Sequence, residues 1–200
     1  MRGFLSGVLC SLLFSPFLVF GRAQEPQRDP GKPEPVIVRF YRDFNFVIAF
    51  SSNAERVELA KYLDGKELPE KFQRNPRLAR VFTLMTRIGT QIVEEDPKMV
   101  LWAARSTGHV YYSGITEIKK IQPEGDAVKV EVTVYHLEPE ANRELIARYE
   151  AAGEEPGKIP TGEEMLGIVK PAPYKSEEVH TWVQADGRWK KGAANLVFVK

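Results

Sequence analysis

Cysteine is almost absent from this chain, and its absence excludes two kinds of chemistry. Cys10 is the only cysteine among 200 residues, and it lies inside an N-terminal apolar run. If that run is removed, the remaining chain can form no disulfide and has no thiolate for catalysis or metal binding. An exported protein of this size then depends on an apolar core for its stability.

An excess of charge of one sign is also missing. The chain carries 28 Lys and Arg residues against 27 Asp and Glu residues, so its formal net charge is +1. No large field is available to attract nucleic acid or an anionic membrane. The sequence also lacks a P-loop, a dinucleotide fingerprint, a nucleophile elbow, HExxH and CxxC. We therefore predict no nucleic-acid partner and no cofactor.

Histidine is scarce, and its spacing does not favour a metal site. His109, His136 and His180 all fall on predicted strands, but no two of them have the HxH or HxxxH spacing of zinc ligands. Acidic pairs such as Glu94-Glu95 lack the D-x-D spacing and the glycine turn of a calcium loop. The sequence therefore predicts no metal, and structural histidines are the ordinary interpretation.

Long apolar character is concentrated at the N-terminus. Arg2 precedes an apolar run over residues 3–20, and small residues follow at 21–23. This pattern is typical of a signal peptide over residues 1–23, with Gln24 as the first residue after cleavage. We expect a secreted or periplasmic protein with no stable membrane insertion after cleavage.

Two other functions for the apolar run are less well supported. A membrane anchor needs roughly 20 apolar residues, but Pro16 and the small residues at the end of the run favour cleavage. A lipoprotein would acylate Cys10, which lies in the middle of the run and follows the bulky Leu9. The chain has no N-x-S/T acceptor, which agrees better with a bacterial periplasmic product than with a eukaryotic secreted one.

Helical patterns dominate the first half of the remaining chain. A proline-rich leader over residues 24–35 has no large apolar residue, so we expect it to be extended. Apolar spacing then predicts helices over residues 36–50 and 54–63, with Asn53 as the N-cap of the second, and a third from Pro76. A strand over residues 36–40 is the alternative to the start of the first helix, because β-branched residues open it.

Strand patterns dominate the second half. We expect strands over residues 99–104, 109–121, 127–137, 177–184 and 194–199. Within the third of these, alternate valines from Val128 to Val134 indicate a half-buried antiparallel strand. Asp186-Gly187 is a strong hairpin signal. The segment 139–174 interrupts this series with a short helix and an irregular loop, which either covers a binding site or is decorative.

Helices followed by a meander of antiparallel strands predict an α+β fold. The run Val38–Asn45, the short helix through Asp64, the paired strands over residues 118–137 and the final Trp182–Lys190 resemble the NTF2-like (SnoaL-like, cystatin-related) superfamily. Members begin with a helix of the type xxFYxAxN and end with WxxxDGxWK. The resemblance covers residues 36–200 and implies a single domain whose curved sheet wraps the helices into a cone, with a pocket at the open end.

Five residues are candidates for a ligand-binding site. Tyr41 and Asp43 lie on the first predicted helix, and some NTF2-like enzymes use an Asp base and a Tyr donor. The ordinary interpretation of Asp43 is a surface ion pair with a basic residue one turn earlier. Tyr112 and Trp182 are candidate pocket walls, and His136 continues the inward-facing register. No residue matches a specific catalytic position of the family, so we name no catalytic residue.

These features predict an exported, non-catalytic module that binds a small apolar ligand or a protein partner. The first alternative is a small pocket enzyme of the isomerase or hydrolase type, which a buried Asp or His with a displaced pKa would favour. The second alternative is a structural subunit that forms a homodimer through the outer face of its sheet.

Overall fold

A computed structural model describes residues 32–63, 65–92, 114–153, 155, 157–171 and 174–197. The predicted signal peptide, most of the predicted leader and the predicted strand 99–104 lie outside the described residues. So do His109 and the candidate pocket residue Tyr112.

The first helix, α1, spans Pro33–Ala49. It begins three residues earlier than predicted, because a helix tolerates prolines in its first turn, where the backbone N–H has no intrahelical acceptor. The alternative strand over residues 36–40 is therefore wrong. Ile37, Phe40, Val47 and Ile48 are almost fully buried, and this face of the helix packs on the sheet.

Three further helices complete the N-terminal half of the described chain: α2 (Asn53–Ala60), α3 (Glu70–Gln73) and α4 (Pro76–Gly89). The N-cap of α2 is Ser52 and not Asn53, since Ser52 and Glu55 form a reciprocal capping box. Asn75 caps α4, whose start at Pro76 agrees with the prediction. The one-turn helix α3 was not predicted from the sequence.

Within the described residues the sheet has four antiparallel strands in chain order: β1 (Gly114–Glu124), β2 (Ala127–His136), β3 (Lys175–Ala185) and β4 (Arg188–Val197). The alternation in β2 is confirmed from Val128 to Val132, because Val128, Val130 and Val132 are buried while Lys129 and Glu131 are exposed. Beyond Val132 both faces are covered, since Thr133 is fully buried and Val134 is half-buried. Helices pack on this curved antiparallel sheet, so the predicted α+β class is confirmed.

The core lies between α1 and the inner face of the sheet, the face that carries the buried valines of β2. Trp182 on β3 has no exposed surface. Its ring meets Phe40 of α1 edge to face, with ring centroids 5.0 Å apart. Asn45 of α1 also hydrogen-bonds both backbone groups of Thr116 on β1, at 2.7 and 2.8 Å. These contacts fix the position of α1 over the strands.

The segment 139–174 is more ordered than predicted. It contains α5 (Pro139–Ala152), which was expected, and α6 (Gly162–Val169), which lies where an irregular loop was expected. A capping box formed by Thr161 and Glu164 starts α6. Tyr149 of α5 packs against Phe46 and Phe50 at the end of α1. The segment therefore extends the core and is not a decorative loop.

Candidate functional site

A chain of hydrogen-bonded polar side chains lies between α1 and β3. Tyr41 Oη lies 2.5 Å from His180 Nδ1. His180 Nε2 lies 2.8 Å from Glu178 Oε2, and Ser176 Oγ donates to Glu178 Oε1 at 2.8 Å. We call these four residues, Ser176, Glu178, His180 and Tyr41, the inner polar chain.

The pleat of β3 explains this arrangement. Alternate residues of a strand point to the same face, so Ser176, Glu178 and His180 share the inner face with Trp182. Each of the four pairs with one of the inward valines of β2, from Val134 opposite Ser176 to Val128 opposite Trp182. The ring of Tyr41 stacks on the ring of His180 at an interplanar angle of 15°. The strand thus brings three polar groups under α1.

The partners of His180 assign its tautomer. An ionised carboxylate only accepts hydrogen bonds, so His180 Nε2 carries the proton and donates it to Glu178. Nδ1 then has a free lone pair and accepts the hydrogen bond that Tyr41 donates. With His180 neutral, every member of the inner polar chain has a partner.

Burial controls the protonation of this chain. His180 is 6% exposed and Tyr41 is 3% exposed. Burial lowers the pKa of His180, although the hydrogen bond to Glu178 opposes this shift. Burial also raises the pKa of Tyr41 far above its ordinary value. Burial alone would raise the pKa of Glu178, but hydrogen bonds from His180 and Ser176 outweigh it, and the net pKa is lowered. Near neutral pH the chain therefore holds one negative charge, on Glu178.

A second buried carboxylate lies on another side of α1. Asp43 is 4% exposed, and its Oδ2 lies 2.6 Å from Arg87 Nη2 of α4. Burial raises the pKa of Asp43, while the charges of Arg87, Arg42 and Arg39 oppose that shift. The expected surface location of Asp43 was wrong, because this side chain is buried and pairs with Arg87 of α4. The charge of Arg39, one turn earlier on α1, also favours the ionised carboxylate, as expected.

The predicted site residues do not all come together. Tyr41 and Trp182 do, with ring centroids 6.3 Å apart. Asp43 pairs with α4 instead of facing β3. His136 lies at the end of β2, where its Nε2 is 3.7 Å from Glu138 and its ring is near Tyr174. Tyr112 lies outside the described residues.

His180 and Glu178 were missed as site residues. The available signal was their parity with Trp182, since residues 178, 180 and 182 of a strand share one face. That parity places all three on one side of the sheet. It does not reveal which residue of α1 lies opposite them.

Two hollows elsewhere on the described surface are weaker candidates for a binding site. A hollow of about 440 Å³ is lined by residues of the loop before α3 and of α3 itself, including Leu68 and Gln73. Another of about 430 Å³ lies between α3, the start of α4 and the end of α5, but its buried cation Arg77 is already paired with Glu55 and Glu150. Within the described ranges, no group of three His, Cys, Asp or Glu side chains could hold a metal ion. In the same ranges, no helix is both long and apolar enough for a membrane crossing.

Comparisons with known proteins give no match. No family model, no curated protein and no solved structure is significantly similar to this chain. The fold is therefore established only as helices packed on a curved four-stranded antiparallel sheet.

Proposed function

We propose that this protein is an exported, non-catalytic module of the NTF2-like type that binds a small ligand on the inner face of its sheet. The observation that carries this proposal is the inner polar chain, which lies in a layer of otherwise apolar side chains between α1 and β3.

A helix–sheet interface does not need such a chain for its stability. Buried polar networks stabilise a fold little compared with apolar side chains of the same volume, and a network that loses one member is strongly destabilising. The next inward position of β3 is filled by an apolar contact instead, because Trp182 packs there on Phe40 and lies opposite Val128. Polar groups at a cost in stability, with displaced pKa values, are typical of functional sites.

The chain also has an accessible end. Tyr41 and His180 are buried, but Ser176 is half-buried and the side chain of Glu178 is 14% exposed. Val134, opposite Ser176 on the same face, is half-buried, and so is Ile118 one strand further away on β1. A few polar groups beside apolar side chains are the usual composition of a small-molecule site. We therefore place the ligand contacts at Ser176 and Glu178.

Native mass spectrometry of the protein purified from its own host tests this proposal. We expect a small molecule bound to the wild type and absent from the variants Ser176→Ala and Glu178→Gln. Glu131→Gln is the matched control, since Glu131 is exposed and points to the outer face of β2, so this variant should keep the molecule. A wild type without any bound molecule, or equal retention in Glu178→Gln, contradicts the proposal. A dimer without a bound molecule would instead favour the structural subunit.

Export is tested separately. We infer that residues 1–23 are removed, because the apolar run ends in Gly21-Arg22-Ala23. N-terminal sequencing of exported protein should begin at Gln24, which can cyclise to pyroglutamate. Recovery of residues 1–20 in the membrane fraction would show that the protein is tethered.

One observation favours the enzyme alternative. Glu178, His180 and Tyr41 are hydrogen-bonded in the order carboxylate, imidazole and hydroxyl. In enzymes with this order the imidazole is the base and the carboxylate orients it. In that function the hydrogen bond between Tyr41 and His180 would first have to open, so that Nδ1 of His180 could accept a proton from substrate and the Tyr41 hydroxyl could donate to a developing oxyanion. Turnover of a panel of enolisable ketones and activated esters, abolished by His180→Gln, would establish it. No turnover above the His180→Gln background excludes these two reactions.

A further inference from the structure

The contact between Tyr41 and His180 joins the N-terminal half of α1 to β3, and one of its two groups is an imidazole, whose ordinary pKa is the nearest to neutral among side chains. We propose that this contact is an acid-sensitive latch, which holds the first half of α1 on the sheet while His180 is neutral and releases it when His180 is protonated. This proposal does not depend on the proposed ligand.

Hydrogen-bond chemistry gives the latch its two states. Neutral His180 uses the lone pair of Nδ1 to accept from Tyr41 at 2.5 Å. Protonation adds a hydrogen to Nδ1, so both ring nitrogens become donors and Nδ1 can no longer accept. The phenol proton of Tyr41 then loses its acceptor inside a buried site, where an unsatisfied donor is unfavourable. Tyr41 Oη can still accept from the new Nδ1–H, so acid reverses this hydrogen bond, leaves the phenol proton without an acceptor and thereby weakens the link between α1 and β3.

A second polar anchor that holds α1 on the sheet does not titrate. Asn45 binds the backbone of Thr116 on β1 through both its amide oxygen and its amide nitrogen. Amide and backbone groups keep their protonation between pH 4 and 8, so this anchor persists in acid. Asn45 lies one turn after Tyr41 on α1. Release at His180 should consequently free the residues before Asn45 and leave those after it in place.

The charged groups around His180 have opposite effects on its pKa. Glu178, on the same strand, favours the protonated ring through its carboxylate, whereas Lys191 of β4 opposes it. From α1 the facing group is the phenol of Tyr41, and from β2 it is the uncharged Val130. Burial is the largest influence and also opposes protonation. A pKa that is lower in the folded state means that stability is complete above the unfolded value of about 6.5 and is lost as pH falls below it.

Hydrogen exchange of the mature protein tests the latch directly. Protection factors, corrected for the intrinsic effect of pH, are measured at about pH 7.5 and about pH 5 on either side of the ordinary histidine pKa. We expect residues 37–43 to lose protection about tenfold for each unit by which the pKa of His180 lies below its ordinary value. Residues 46–49, beyond Asn45, should change much less.

Two variants separate the latch from general acid sensitivity. His180→Gln can still accept from Tyr41 and donate to Glu178 but does not titrate, so its α1 should keep the same protection at both pH values. His136→Gln removes the other described histidine and should behave like the wild type. A wild-type α1 that is equally protected at both pH values, or a His136→Gln variant that abolishes the change, overturns the proposal.

A measurement on the wild type covers the case in which His180→Gln does not fold. Nitrogen chemical shifts of the His180 ring report its tautomer and its pKa in the folded protein. We expect the Nε2-protonated tautomer at neutral pH, and a loss of α1 protection that follows the same titration. An Nδ1-protonated ring, or a loss of protection at a different pH, contradicts the latch.

Discussion

Trp182 is the residue on which the helix–sheet interface depends most. Its side chain is fully buried against Phe40 and Tyr41. We expect Trp182→Ala to lower the free energy of unfolding by about 3–5 kcal/mol, because a large cavity replaces the indole. Urea denaturation followed by circular dichroism measures this loss. Trp189→Ala is the control and should cost less, since Trp189 on the same hairpin is only half-buried. A loss below about 1 kcal/mol, which is typical of surface changes, would contradict the position of Trp182 in the core.

The sequence predicts individual residues well where periodicity alone decides their environment. Trp182 and Tyr41 were both selected from sequence, and the structure brings them together. Asp43 was assigned to the surface, because the sequence shows a nearby basic residue on its own helix but not that α4 covers it. The sequence predicts His180 to be a structural histidine, because it does not show which residue of α1 lies above it. That choice is made by tertiary packing between segments 139 residues apart.

At the scale of single elements, the start of α2 gives a sharp test. Ser52 accepts a hydrogen bond from the backbone of Glu55, and Glu55 returns one to the backbone of Ser52. Ser52→Ala should therefore cost about 1 kcal/mol of stability, as the loss of an N-cap does. Asn53→Ala is the matched control at the adjacent position and should be close to neutral or slightly stabilising, because alanine has the higher helix propensity. If thermal unfolding shows the larger loss for Asn53→Ala, the sequence-based assignment of the cap was right after all.

The last hairpin tests a turn in the same way. Asp186 and Gly187 both have positive φ, at 54° and 69°, as a two-residue turn between antiparallel strands requires. Gly187→Val should lower the free energy of unfolding by about 1–2 kcal/mol, because a β-branched residue is strained in this conformation. Gly157→Val serves as the control, since Gly157 has ordinary φ and open space around its Cα. Equal losses for the two variants, measured by urea denaturation, would contradict the turn assignment.

Elements with strong local signals were predicted, and those with mixed signals were not. β2 and α4 each bury one face and expose the other over most of their length, so the period of their apolar residues is visible in the sequence. The sequence does not predict the helix α6, because prolines and glycines surround it. The capping box of Thr161 and Glu164 nevertheless satisfies the backbone N–H groups at its start and so stabilises it. The bulge that the sequence allows over residues 188–192 has a counterpart in β4, where the pairing with β3 shifts between His180 and Trp182. Gly192 lies there, and a side chain at this position would approach the backbone oxygen of Thr181 to 3.3 Å.

The molecule as a whole has to be stabilised by packing. Its buried cluster contains side chains of β1, β2 and β3 and of all six described helices, among them Phe40, Met85, Val130 and Leu145. Trp189 of β4 is partly buried against this cluster. The order of strands follows the order of the chain, so each pair forms through a local hairpin or through the α5–α6 segment. Antiparallel neighbours of this kind need no metal or disulfide to close a long loop.

Stability without a metal or a disulfide is the prediction that tests this view of the whole molecule. A chain that begins at Gln24 contains no cysteine, and the described histidines, His136 at the end of β2 and His180 in the middle of β3, have partners of their own. We expect the melting temperature of the mature protein to be the same with and without a chelator, and with and without a reducing agent, because neither removes a contact of the core. Differential scanning calorimetry measures both effects in one buffer. A fall of several degrees in chelator that zinc reverses would show that histidines converge on a metal, and His109, outside the described residues, would be the first ligand to replace.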